Sequence, residues 1–174
     1  PVYYKHASPL AKESTMTSPN TPPKADEINL PKVQLGQTGK SLSRMGLGGF
    51  HQVEIDADAV AEVIDTFLAC GGNYIETARA YGGGASEDKI GRALQGRRDQ
   101  VVLASKTGAA TADEARRDLE QTLKSLQTDH IDFYFFHGVG DEKLEKITAP
   151  GGAVEGLEKA RQEVKDLGDK FNVS

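Results

Sequence analysis

Three stretches of this chain run as short apolar strands and then stop on a residue that can do chemistry. Asn73-Tyr74-Ile75-Glu76 stops on a carboxylate. Val101-Val102-Leu103-Ala104-Ser105-Lys106 stops on an ammonium, and Ile131-Asp132-Phe133-Tyr134-Phe135-Phe136-His137 stops on an imidazole. Residues i, i+2 and i+4 of a strand share a face. If the three strands lie parallel and side by side, Glu76, Lys106 and His137 point into one space. Tyr81 follows Glu76 on a loop and can fold over that space. A lysine paired with a carboxylate beside a tyrosine turns a phenol, with its ordinary pKa of about 10, into a usable acid. One histidine and no cysteine converge there, so no metal site is expected. His6, His51 and His130 read as surface or structural residues.

These residues need strands and helices in a set order to bring them together. Lys32–Ser43 reads as a hairpin around the turn signal Gly36-Gln37-Thr38-Gly39. Arg44–Phe50 reads as a first strand that ends in Gly46-Leu47-Gly48-Gly49. These glycines permit either a tight turn or close approach of a cofactor to the backbone. They form neither a Gly-x-Gly-x-x-Gly fingerprint nor a P-loop. Asp56 or Asp58 can cap a helix from about Ala57 to Cys70, whose Val60, Val63, Ile64, Phe67 and Leu68 lie at helical spacing. Ser86 is expected to cap the next helix, with Glu87 and Asp88 in its first turn. Gly82-Gly83-Gly84 reads as a pliable loop before it. Thr111 and Glu114 make a capping box for a third helix, with Ala115, Leu119, Leu123 and Leu126 on one face. The strand ending at His137 is almost continuously apolar, as a strand buried on both faces would be. A last helix follows Pro150-Gly151-Gly152 and is expected to end at Gly168. Lys170–Ser174 reads as the start of a fifth strand.

Strand and helix alternate four times, which argues for an α/β fold with parallel strands. The chain has 174 residues, whereas a full eight-unit α/β barrel takes roughly 250. The sequence therefore reads as a half-barrel or a truncated barrel. Lysine plus arginine number 21 against 26 acidic residues, a net charge of −5. With no long basic run, neither nucleic acid nor a membrane surface is an expected partner. Cys70 is the single cysteine, which fits a reducing, cytoplasmic setting and a packed structural thiol. Residues 1–31 are rich in Pro, Ser, Thr and Lys and are expected to be disordered or extended. Residues 32–174 are expected to form one domain.

The sequence resembles the aldo-keto reductases from about Val33 to about Glu163. The resemblance is carried by Leu35-Gly36-Gln37-Thr38-Gly39, Met45-Gly46-Leu47-Gly48-Gly49, Asn73-Tyr74-Ile75-Glu76-Thr77-Ala78 with Tyr81-Gly82, and Ser86-Glu87 with Ile90-Gly91. It continues through Ala104-Ser105-Lys106-Thr107, Leu119-Glu120 with Ser125-Leu126, Asp129, Ile131-Asp132 and His137. The family usually has Asp where Glu76 stands. The resemblance implies the first half of a (β/α)8 TIM barrel, four βα units preceded by a short β-hairpin that caps its bottom.

It also implies reduction of a small-molecule aldehyde or ketone with NADP(H). Tyr81 would donate the proton, Lys106 held by Glu76 would assist it, and His137 would orient the carbonyl. Gly48, Gly49 and Phe50 would lie at the nicotinamide end of the cofactor. A different expectation stands beside this one. As it stands the chain would be a catalytically incomplete fragment or half-barrel, acting as a binding module or self-associating through its open edges.

Overall fold

The structure, a computed structural model, describes residues 23–171. The expectations for residues 1–22 and 172–174 lie outside the described residues. A two-stranded antiparallel hairpin of β1 (Lys32–Gln34) and β2 (Ser41–Ser43) comes first. A four-stranded parallel sheet then follows in chain order, made of β3 (Leu47–Gly48), β4 (Tyr74–Glu76), β5 (Val102–Thr107) and β6 (Phe133–Phe136). Five helices accompany it: α1 (Ala57–Ala69), α2 (Ala85–Ala93), α3 (Ala112–Leu126), α4 (Asp141–Thr148) and α5 (Ala153–Phe171). This is an α/β architecture, a run of consecutive units of a partial (β/α) barrel.

The hairpin is fastened to the start of the sheet by polar contacts. The Asn73 side chain accepts from Ser43 N–H at 2.7 Å and donates to the Ser41 carbonyl at 2.9 Å. Lys40 reaches Asp132, just before β6, at 2.5 Å. The core lies between the sheet and the first three helices, where Val60, Ile64, Phe67, Ile75, Ile90 and Leu103 are among the buried residues. Burial of each such side chain stabilises by roughly 1.5–3 kcal/mol. Helices α2 and α3 approach closely at Gly91, where a Cβ would lie 2.5 Å from the Ser125 carbonyl.

The starts of α1 and α3 follow the sequence. Asp56 caps α1 by accepting from Ala59 N–H at 2.8 Å, and Thr111 with Glu114 forms the reciprocal box of α3. The first strand is shorter than expected. It covers only Leu47–Gly48, because the chain turns into a short 3-10 segment at Phe50–Val53. Ser86 does not cap α2. The cap is Gly84, at φ 101°, while Ser86 and Glu87 are buried inside the first turn. Helix α4 was not anticipated, since its apolar content is small, although acidic Asp141 and Glu142 start it and Lys146 ends it. Helix α5 runs past Gly168 to Phe171, so residues 170–171 are helical and begin no strand. One interior glycine costs a helix only about 1 kcal/mol, which flanking helix formers offset.

Strand β6 has no fully buried residue and packs against helices on one face. Phe136 packs into a small cluster with Ile147 and Ala153, and Tyr134 bonds Thr122 of α3. Phe133 and Phe135 point the other way, stacked at 6.1 Å, and Phe135 is 44% exposed. The four strands thus have a packed outer face against the helices and an open inner face.

Candidate active site

The C-terminal ends of β3 to β6 form one rim. Gly48 lies beside Glu76, Glu76 beside Ala104, and Lys106 beside Phe135. Lys106 stands two residues beyond Ala104, on the same face of β5, and reaches back over Glu76. Its ammonium has three hydrogens and no lone pair, and each hydrogen finds an oxygen. It donates to the Tyr81 hydroxyl at 3.0 Å and to the Thr77 carbonyl at 3.0 Å, and it contacts Glu76 Oε1. Burial pulls the Lys106 ammonium below its ordinary value.

Tyr81 opens the turn between β4 and α2. Its ring stands edge-on to Phe50 on one side, with centroids 5.2 Å apart, and edge-on to His137 on the other, at 5.5 Å. The backbone of His137 is fixed at both ends. Its N–H donates to the Thr107 carbonyl at 2.8 Å, and its carbonyl accepts from Lys143 at 2.6 Å. Loss of solvent holds the imidazole below its ordinary value, with the charges of Lys106 and Lys143 adding to the effect. His137 is therefore neutral at neutral pH and has one N–H to offer. Glu76, Lys106, Tyr81 and His137 are thus brought together at one end of the sheet.

The loop after β3 is locked against this group. Gly49 N–H donates to the Glu76 carbonyl at 2.7 Å, and Ser86 Oγ donates to the Gly49 carbonyl at 2.8 Å. Ser86 has then spent its proton, so Thr77 Oγ1, 2.8 Å away, donates to Ser86. A Cβ on Gly49 would lie 2.7 Å from Ser86 Oγ and 2.9 Å from the Glu76 carbonyl oxygen, so only glycine fits. Gly48 is the opposite case, with nothing within 4 Å of where a Cβ would stand. Lys89 of α2 holds the following turn by donating to the carbonyls of Gln52, Val53 and Ile55 at 3.1, 3.0 and 2.5 Å. Phe50, 55% exposed, is presented on that turn. Gly48 thus leaves its backbone bare, and Phe50 presents an exposed ring next to the ring of Tyr81.

Sequence reasoning missed three contributors. The Thr77 carbonyl acts through its backbone and leaves no signal in residue type. Lys89 and Lys143 carry no motif or strand-end signal, and only their carbonyl partners in space reveal them. His51 is exposed and rests against Phe50 at 5.1 Å, and His130 pairs with Asp129 away from the rim. His6 lies outside the described residues. Cys70 is a half-buried free thiol at the end of α1. Among the described residues no cluster of three or more His, Cys, Asp or Glu side chains is placed to hold a metal ion. No helix there is long and apolar enough to cross a membrane.

The chain is similar to known proteins over most of its length. Residues 44–168 match the model of the Aldo/keto reductase family. Aldo-keto reductase YhdN of Bacillus subtilis (strain 168) is 39% identical over 120 residues, which cover 59% of this chain and 36% of that protein. L-galactose dehydrogenase of Arabidopsis thaliana is 32% identical over 146 residues, covering 75% of this chain and 44% of that one. Among solved structures, an aldo-keto reductase from Klebsiella pneumoniae in complex with NADPH superposes with a TM-score of 0.63 at 32% identity. The match covers 78% of this chain and 47% of that one. The holo form of an aldo-keto reductase from Bacillus halodurans gives 0.67 at 29% identity over the same shares. The chain spans less than half the length of each of these relatives. A strand-end carboxylate, lysine and histidine around a tyrosine, with a family match over most of the chain, leave one assignment: this chain belongs to the aldo/keto reductase family.

Proposed function

We propose that residues 32–174 form a partial barrel domain carrying the acid–base centre of an NADPH-dependent carbonyl reductase, with Tyr81 as the proton donor. The observation that carries this reading is the hydrogen bond from Lys106 Nζ to the Tyr81 hydroxyl. The phenol accepts there, so its own proton is free for the oxygen of an aldehyde or ketone. When that proton leaves, the Lys106 ammonium stabilises the phenolate. Glu76 and the Thr77 carbonyl hold the ammonium in place. Neutral His137 offers an N–H to the same carbonyl oxygen and fixes its direction. Water returns the proton to Tyr81 after product leaves.

The cofactor assignment draws on relatives solved with NADPH, and with NADP and acetate. Gly48, Gly49 and Phe50 would hold the nicotinamide end, and the open space over Gly48 and the exposed ring of Phe50 fit a flat heteroaromatic ring. When bound, the reduced nicotinamide supplies a hydride to the carbonyl carbon. The free thiol of Cys70 supports a cytoplasmic setting. The test is NADPH consumption with a panel of small aldehydes and ketones, with Tyr81→Phe as control. Turnover that Tyr81→Phe abolishes is the expected result. Turnover untouched by Tyr81→Phe would remove Tyr81 from the chemistry.

A second reading is favoured by one observation, the 44% exposure of Phe135 on the inner face of the sheet. On this reading the 174-residue chain alone self-associates through that face and acts as a binding module, not as a working enzyme. Light scattering decides it: a monomer with tight NADPH binding excludes this reading, and a concentration-dependent dimer that Phe135→Ser disperses supports it.

A further inference from the structure

Tyr81 is followed by three glycines with positive φ, Gly82 at 63°, Gly83 at 63° and Gly84 at 101°. Such a run gives a chain great freedom, which is a poor mount for a phenol that must sit against Lys106. One side chain ties the turn down. Arg79 Nη2 donates to the Gly83 carbonyl at 2.6 Å, so the guanidinium reaches from two residues before Tyr81 to two residues after it. The backbone N–H of Arg79 donates to the Lys106 carbonyl at 3.1 Å. A Cβ on Gly84 would run into the guanidinium, so the turn packs directly on it.

The guanidinium is itself anchored. Its Nη1 donates to Glu87 Oε2 at 2.5 Å and to Ser125 Oγ at 3.2 Å. Glu87 is fully buried, and its other oxygen accepts from Ser105 Oγ at 2.8 Å and Thr122 Oγ1 at 2.9 Å. A carboxylate is taken wholly out of water only where charge and hydrogen bonds replace the solvent. Ser105 neighbours Lys106 on β5 and points to the opposite face. The same carboxylate therefore grips the strand that carries Lys106 and, through Arg79, the turn that carries Tyr81. It does so from behind the sheet, without entering the mouth that Glu76 faces.

We propose that the Arg79–Glu87 pair is a positioning clamp that sets the Tyr81 hydroxyl against Lys106, an inference that rests on the reductase reading above. Neither residue touches substrate or cofactor. Arginine suits the place because its planar fork sends Nη1 to Glu87 and Nη2 to the Gly83 carbonyl from fixed, separate nitrogens, a spacing that a single lysine nitrogen does not reproduce.

The test uses Arg79→Lys and Glu87→Gln in the full-length protein. Both should keep a cooperative melt, and NADPH affinity and carbonyl KM should stay within about threefold. Turnover should fall about tenfold to a hundredfold, the scale of a small misplacement of a reacting group. Amide hydrogen exchange at Tyr81 and Gly83 should quicken in both variants, and this measurement needs no activity. A folded Arg79→Lys protein with normal turnover and normal exchange overturns the clamp. A parallel loss of kcat, KM and cofactor affinity also overturns it, as does unfolding of both variants, because either result makes the pair a plain stability element. A wild-type protein that reduces no carbonyl compound sinks the reductase reading instead, and the clamp then stands or falls on the exchange data.

Discussion

Lys106 donates to the Tyr81 hydroxyl across 3.0 Å, and the same ammonium lies 4.7 Å from the centre of the Tyr81 ring. An ammonium accepts nothing. The phenolic proton must therefore point away from Lys106.

Tyr81→Phe removes that proton and leaves the ring between Phe50 and His137. Carbonyl reduction should fall about a hundredfold to ten-thousandfold, while NADPH affinity stays unchanged. Steady-state kinetics beside an NADPH fluorescence titration check this. Equal loss of both would mean that the phenol serves binding and not proton transfer.

Glu76 is one methylene longer than the aspartate that the family resemblance implies at this position. In the structure it still contacts Lys106. Glu76→Asp should preserve or raise turnover. Glu76→Ala should lower it about tenfold, equivalent to some 1.4 kcal/mol of transition-state stabilisation, because Lys106 loses its fixed counter-charge. If Glu76→Ala runs at the wild-type rate, the Thr77 carbonyl suffices to hold Lys106 and Glu76 is dispensable.

Gly48 and Gly49 are neighbours with opposite surroundings, and alanine should separate them. At Gly49 the new methyl would press on Ser86 Oγ and the Glu76 carbonyl, costing about 1–3 kcal/mol of stability. At Gly48 it would enter open space and leave the unfolding midpoint alone. It would instead crowd a bound nicotinamide and weaken NADPH binding. Urea melts and cofactor titrations on the two variants, read side by side, test both halves of this claim.

His137 gives a pH signature of known sign. Its folded value is held below the ordinary 6.5 by loss of solvent, then by Lys106 and Lys143. Between the two values the unfolded chain binds more protons than the folded one, so stability rises with pH through that window. Above the ordinary value this group contributes no pH dependence. The melting temperature of the wild type should therefore fall on acidification below the ordinary histidine value by more than that of His137→Gln. Lys143→Gln should narrow the difference. Parallel curves for wild type and His137→Gln would contradict the assignment.

The strand ends that carry Glu76, Lys106 and His137 were legible because strand alternation and apolar runs place them without any tertiary information. The caps at Asp56 and Thr111 were legible for the same local reason. Ser86 misled because a serine before two acidic residues is also the pattern of a helix start. The left-handed Gly84 took the cap and turned Ser86 inward to Gly49. A run of apolar residues does not by itself say which of its faces is covered, and in β6 Phe135 is 44% exposed. The Arg79–Glu87 contact joins residues eight apart across a glycine turn, a separation that no helical or strand period encodes. Lys89 was silent for a related reason, since its three acceptors are backbone carbonyls.

The residues around the mouth, from Gly48 to His137, lie in one uninterrupted run of chain, each at the end of the next strand in order. The Tyr81 hydroxyl, the Lys106 ammonium, the Glu76 carboxylate and the His137 imidazole are therefore inherited as a block. A gene rearrangement that joins new sequence beyond α5 would pass on this cluster together with Lys143, which holds the His137 carbonyl.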